Sequence, residues 1–385
     1  MEYKAKAELN KISPNDGYNY FFGYYDLQPF DESGEKHLAH RVKFNDRIPN
    51  KDDKAEVGYI TIKDRRFHKV SETSAWNFQQ GALLQWYGKD EIIYNDYRDK
   101  KFCSVIKNVN NGAERVINMP LACISQDREW GLSINFARVW DFRPGYGYCN
   151  EKDDYYDENA PENDGVFLVN IKKNESRLII SYRTINESFP EKPFCDMKIL
   201  VNHITFNPSG SRFLMLVRNF AKDGDRWGTL LLTADRNGEN IKNLTNYEVN
   251  SHYYWKNDEE IIIYSGLPDW GIYFMNDKTR SRERLDDDLV NYDDIHCIYS
   301  PDRKCFIGDG YPNTGNDRYI LMYDMASKKS RAIVKIYSEP VTDTDIRCDL
   351  HNRFNRNGTK ISFDSFHDGL RSIMIMPFDR ETLLR

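Results

Sequence analysis

His203-Ile-Thr-Phe206-Asn-Pro-Ser-Gly, His252-Tyr-Tyr-Trp255-Lys-Asn-Asp, His296-Cys-Ile-Tyr299-Ser-Pro-Asp and His351-Asn-Arg-Phe354-Asn-Arg-Asn-Gly are four copies of one phrase. Each has a histidine, two further residues, a large aromatic, and then a turn built from Asn, Asp, Pro, Ser or Gly, the residues that reverse a chain at low cost. An alternating apolar strand follows each turn. The four histidines are 49, 44 and 55 residues apart, and a period of roughly 40 to 50 residues is the spacing of propeller blades. Three weaker copies precede them, at Phe30-Asp-Glu-Ser-Gly-Glu, Trp86-Tyr-Gly-Lys-Asp and Ile124-Ser-Gln-Asp-Arg, making seven.

A second recurring element supports that count. Short apolar alternations run from Val57 to Ile62, Cys103 to Val109, Gly165 to Ile171, Thr229 to Thr233, Gly271 to Met275, Tyr319 to Tyr323 and Ser372 to Met376, one per copy. The expected fold is therefore all-β: a seven-bladed β-propeller of four-stranded antiparallel blades, with residues 1–385 as a single domain. Only nine residues follow Met376, too few for another strand and its turn. The segment from Tyr3 to Leu9 is expected to close the last blade, since an open sheet edge invites aggregation. Residues 141–164, rich in Asp, Glu, Asn, Tyr and Gly, read as a long loop insertion, and such loops on a rigid scaffold tend to carry function.

Composition narrows the functional classes. The 385 residues hold 54 basic and 60 acidic side chains and 25 Tyr, 21 Phe and 7 Trp. Bulky aromatics favour strands, and the mild acidity, with no block of like charge, argues against a nucleic-acid partner or an anionic membrane surface. No apolar run approaches a membrane span and the N-terminus lacks a secretory core, so a cytoplasmic location is expected. The 7 cysteines show no C-x-x-C spacing and read as reduced thiols. There is no P-loop, no G-x-S-x-G elbow and no H-E-x-x-H motif.

Four of the 8 histidines stand at the same place in successive repeats, and a closed ring turns such equivalence into convergence about an axis. They are therefore candidates to share a ligand, a metal or a water network. The plainer alternative is that each caps its own turn.

The stretches Tyr20-Phe-Phe-Gly-Tyr-Tyr-Asp26, Trp76-Asn-Phe-Gln-Gln-Gly81, Asn135-Phe-Ala-Arg138, Arg143-Pro-Gly-Tyr-Gly-Tyr148, Asn202-His-Ile-Thr-Phe-Asn-Pro208 and Asp349-Leu-His-Asn-Arg-Phe354 resemble bacterial propeller proteins related to oligogalacturonate lyase, with TolB-like blades. The resemblance implies an acidic saccharide as ligand or substrate and a divalent metal, Mn or Ca, held by histidines and a glutamine near the axis. It places the base on His203 and metal ligands on His252 and His351. Where that family has a further histidine this chain has Asp349, and where it has the glutamine, Ile346.

A lyase acting on a uronic acid removes the proton beside the carboxylate and expels the group on the β-carbon, which calls for a base and for positive charge on the carboxylate. The candidate catalytic residues are His203, Arg138 and Arg143. His252, His296, Asp349 and His351 are the candidate metal ligands. Tyr24, Tyr25, Trp76, Gln80, Asn135, Tyr146, Tyr148 and Arg347 are the candidate substrate contacts, because flat rings stack on sugars and guanidinium grips carboxylate in bidentate fashion. A non-catalytic propeller that binds a glycan or a protein, or a hydrolase or transferase, is the alternative reading.

Overall fold

The structure, a computed structural model, describes residues 8–190, 197–220, 227–266, 269–285, 289 and 294–384. Seven four-stranded antiparallel sheets form the blades of a β-propeller. All seven apolar alternations are strands, and each is the third strand of its blade: Ala55–Thr61, Lys101–Asn108, Gly165–Asn170, Trp227–Asp235, Gly271–Asn276, Asp317–Asp324 and Arg371–Pro377. The aromatic of the clearest repeats ends a first strand, as Phe206 does in Lys198–Phe206 and Phe354 in Arg353–Phe354.

The seventh blade is completed from the N-terminus. Asn10–Lys11 pairs antiparallel with Arg371–Pro377, with Asn10 opposite Ile375 and Lys11 opposite Met374. Ile12 N–H donates to the Ile373 carbonyl at 2.9 Å, and Ile373 N–H to Ser13 Oγ at 3.3 Å. The closing strand thus lies just beyond the expected Tyr3–Leu9, of which residues 3–7 fall outside the described residues.

The chain divides into two compact units, one of residues 1–94, 106–115 and 286–385 and one of residues 95–105 and 116–285. In the second unit, Leu214, Leu216 and Leu231 of the fourth blade pack on Tyr253, Trp255, Ile261, Ile263, Tyr273 and Met275 of the fifth. Each such side chain contributes about 1.5–3 kcal/mol on burial.

A side chain on the second strand of a blade repeatedly holds a segment adjoining the first strand of the next. His40 Nε2 accepts from Ala82 N–H at 3.0 Å, and Asn95 Oδ1 from Leu121 N–H at 2.9 Å. Asp309 Oδ2 accepts from Leu350 and His351 N–H at 3.0 and 3.3 Å, and Asp364 Oδ1 and Oδ2 accept from Phe22 N–H at 3.1 and 3.2 Å. All four side chains are buried, and the amides they satisfy would otherwise cost about 1–3 kcal/mol each.

Deleting the chain through Ser13 would bare the edge of Arg371–Pro377. The expected result is a lower Tm with concentration-dependent aggregation, read by scanning calorimetry and light scattering; an unchanged Tm would contradict the closure.

Candidate functional site

In the first unit, His296, Asp349 and His351 come together. One nitrogen or oxygen from each lies within 4.8 Å of the other two, and all three residues are buried. The imidazoles of His296 and His351 meet edge to face with centroids 4.6 Å apart. His296 precedes the strand Ile298–Tyr299, and Asp349 and His351 precede Arg353–Phe354. His296 faces the buried Asp309 on the neighbouring strand of its own blade, and Leu350, next to His351, pairs with the buried Asp364. His296 N–H donates to the Asp309 carbonyl at 2.9 Å, and Asp364 N–H to the Leu350 carbonyl at 2.8 Å.

Asp309 orients both histidines. Its Oδ1 lies 3.4 Å from His296 Nδ1, while its Oδ2 takes the Leu350 and His351 amides. His351 has φ of 44°, a left-handed conformation that costs a non-glycine residue about 1–3 kcal/mol unless its surroundings impose it. Burial opposes a charge on His296, but Asp309, together with Asp349 and Asp294, outweighs it and raises the imidazole above its ordinary value.

Asp349 is held by two arginines. Arg347 Nε is 2.7 Å from Oδ2 and Arg318 Nη1 3.0 Å from Oδ1. Burial favours the neutral acid, yet Arg347, Arg318, His296 and His351 outweigh it and hold the carboxyl well below the usual carboxylate range. The same arginines line a cavity of about 520 Å³, together with Tyr311, Asn316, Glu339 and Thr344 among others.

The Tyr24-Tyr25 pair packs on the histidines, Tyr24 on His351 at 5.0 Å and Tyr25 on His296 at 5.1 Å between centroids. Its backbone is clamped from the seventh blade. Asp364 accepts from the Phe22 and Gly23 amides, Arg353 donates to the carbonyls of Gly23 and Tyr24, and the two side chains pair at 3.1 Å. Gly23 has φ of 127°, and a Cβ there would lie 2.7 Å from the Gln80 carbonyl oxygen, so only glycine fits. Gln80 and Trp76 are buried, and the Trp76 indole donates to the Asp53 carbonyl at 3.0 Å. Gln79, which sequence reasoning passed over, supports Arg347 by donating to its carbonyl at 2.9 Å.

The second unit holds the other candidates. His203 is buried and stacks on Tyr253 at 4.6 Å; His252 is buried in Asn250–Trp255. Asn135-Phe-Ala-Arg138 opens the helix Phe136–Phe142, with Asn135 as its N-cap. A short polar side chain that accepts from the third residue on is the preferred start of a helix. All five N–H groups of Arg138 are committed within the protein: to Asp153 at 2.9 Å and to the carbonyls of Ile199, Tyr155, Glu158 and Asn159. Arg138 therefore ties down the 141–164 insertion and has no donor left for a carboxylate. Tyr146 and Tyr148 are buried, with Tyr148 stacked on Phe136 at 4.4 Å, which leaves no ring face for a sugar. The Arg143 guanidinium lies over Tyr146 at 4.4 Å.

No family model matches the sequence, and no curated protein matches it. Solved structures do match. The fold is similar to that of oligogalacturonate lyase. The enzyme from Vibrio parahaemolyticus superposes with a TM-score of 0.66 at 15% identity over 98% of this chain and 95% of its own. An oligogalacturonate lyase in complex with manganese gives 0.65 at 14%, over 98% and 94%. At these identities the likeness establishes the architecture, and the chemistry has to be argued from the residues. Among the described residues, no helix is long and apolar enough to cross a membrane.

Asp164 makes the insertion pH-sensitive. It accepts from Asn135 Nδ2 at 2.8 Å and from Gly165 N–H at 2.7 Å, but burial outweighs these bonds and pushes its carboxyl up to about 6. A folded-state value above the unfolded one means that the folded chain binds the proton more tightly, so stability falls as pH rises from about 4 through 6. The full swing is on the order of 3 kcal/mol. The Tm difference between wild type and Asp164→Asn should therefore shift against the wild type across that range; a constant difference would contradict it.

Proposed function

We propose that this protein binds an acidic saccharide through the first unit and cleaves it by β-elimination, with a divalent cation held by His296, Asp349 and His351. The observation that carries the reading is the double use of Arg318 and Arg347, which line a sugar-sized cavity while gripping the carboxylate of the cluster. Buried guanidinium beside a cavity selects a planar anion, and a uronate carboxylate is one.

The cluster fits a metal on chemical grounds. Coordination needs an ionised carboxylate and imidazoles oriented through their second nitrogen; the arginines supply the first condition for Asp349 and Asp309 the second for His296. Two imidazoles with one carboxylate suit Mn, Fe or Zn better than Ca, which prefers an all-oxygen shell. When bound, the cation would neutralise the substrate carboxylate as charge develops on it. Arg318 and Arg347 would orient the carboxylate, and Tyr24 and Tyr25 would keep water from the histidines.

Incubation with oligogalacturonate and Mn²⁺ should produce the ultraviolet absorbance of an unsaturated uronate. Turnover and Mn²⁺ binding should both be lost in His351→Ala. Because Asp309 raises His296, cation affinity should begin to fall above the ordinary histidine range near 6.5 as pH drops. A second reading, binding without cleavage, is favoured by the fact that both oxygens of Asp349 already pair with arginines. Uronate binding with no unsaturated product would select it.

A further inference from the structure

Arg318 and Arg347 form a wall with Asp349 on one side and the 520 Å³ cavity on the other. Neither is a surface charge. Arg318 is buried, with Nη1 shared between Asp349 and the Gly310 carbonyl at 3.2 Å, and its buried Nε has no hydrogen-bond partner among the described residues. Arg347 donates through Nη1 to the Thr344 carbonyl at 3.0 Å, and its guanidinium lies 5.4 Å from the centre of the Tyr311 ring. A buried N–H without a partner costs about 1–3 kcal/mol, so the Arg318 side chain is already strained by its burial, and a carboxylate beside its guanidinium offsets the buried charge.

From this arrangement we infer that an acidic ligand in the cavity and a divalent cation at His296, Asp349 and His351 bind cooperatively, with Arg318 and Arg347 as the coupling residues. The inference rests on the proposed site but not on its catalysis. With the cavity empty, both guanidinium charges act on Asp349 and oppose a cation there. A ligand carboxylate draws part of that charge to itself and frees Asp349 to coordinate. The cation, for its part, adds positive charge next to the bound anion. Both effects have the same sign, and linkage makes them reciprocal.

The wall also sets the ligand's charge. Glu339 lines the cavity beside the two arginines, and both arginines also pair with Asp349, so the positive charge left for a ligand matches one carboxylate better than a dianionic phosphate. Specificity within sugars then comes from that one group: the neutral sugar of the same shape has a hydroxyl there and brings no charge to the two guanidinium groups.

The test is a pair of calorimetric titrations of the wild-type protein, Mn²⁺ alone and Mn²⁺ with saturating D-galacturonate, with D-galactose as the control. The expected result is a Mn²⁺ Kd lowered by roughly 5- to 150-fold with galacturonate, the usual range for coupled sites, and unchanged with galactose. Arg318→Met should tighten Mn²⁺ in the absence of sugar and remove most of the galacturonate effect, in protein whose Tm shows it folded. An equal Kd with and without galacturonate overturns the inference, as does equal tightening by galactose or absence of Mn²⁺ binding. Turnover with no coupling would leave the proposed lyase standing and remove this inference. Coupling with no turnover would do the reverse.

Discussion

The carboxylate of Asp309 is the constraint on which the candidate site depends. One oxygen holds the amides of Leu350 and His351, and the other faces His296. A single buried side chain thereby fixes the backbone that presents one histidine and the ring orientation of the other. The left-handed conformation of His351 persists because Asp309 holds its amide in place. In the next blade Asp364 acts likewise, holding Phe22 and Gly23 so that Tyr24 and Tyr25 reach the histidines. Two of the side chains that pin one blade to the next, Asp309 and Asp364, therefore also position the site.

Charge is arranged around that frame in alternating signs. Asp309, Asp349 and Asp364 are buried, and so are Arg318 and Arg353. An isolated buried ion costs several kcal/mol, and removing one partner of such a pair typically costs about 3–5 kcal/mol. These groups therefore form a network that is costly to dismantle piecemeal. With neutral imidazoles, Asp309 and Asp349 balance Arg318 and Arg347, so the cluster accepts a cation most readily when an anion arrives with it.

Much of the architecture is legible in the sequence because propeller blades repeat their pattern. The histidine-aromatic-turn phrase locates first strands, and the apolar alternations locate third strands, because periodicity is local. The insertion is harder to read. Arg138, Tyr146 and Tyr148 have the residue types of a sugar site, but they are packed inside, and sequence carries no direct record of burial. Asn135-Phe-Ala-Arg138 does carry a local signal, since Asn before an apolar run is a helix cap. Asp309 escapes the repeat pattern, yet a signal exists: an aspartate stands thirteen residues after His296 and again after His351, where the other two repeats have Leu216 and Ser265. Arg318 carries no such mark, since its role comes from a strand pairing that brings it to Asp349.

The central claim is that His296, Asp349 and His351 act together as one cation site framed by Asp309. Crystals soaked in Mn²⁺ and measured at the manganese absorption edge test it directly. The account predicts an anomalous peak within coordination distance of all three side chains, lost in Asp349→Ala. A peak elsewhere, or none at saturating Mn²⁺, would contradict it.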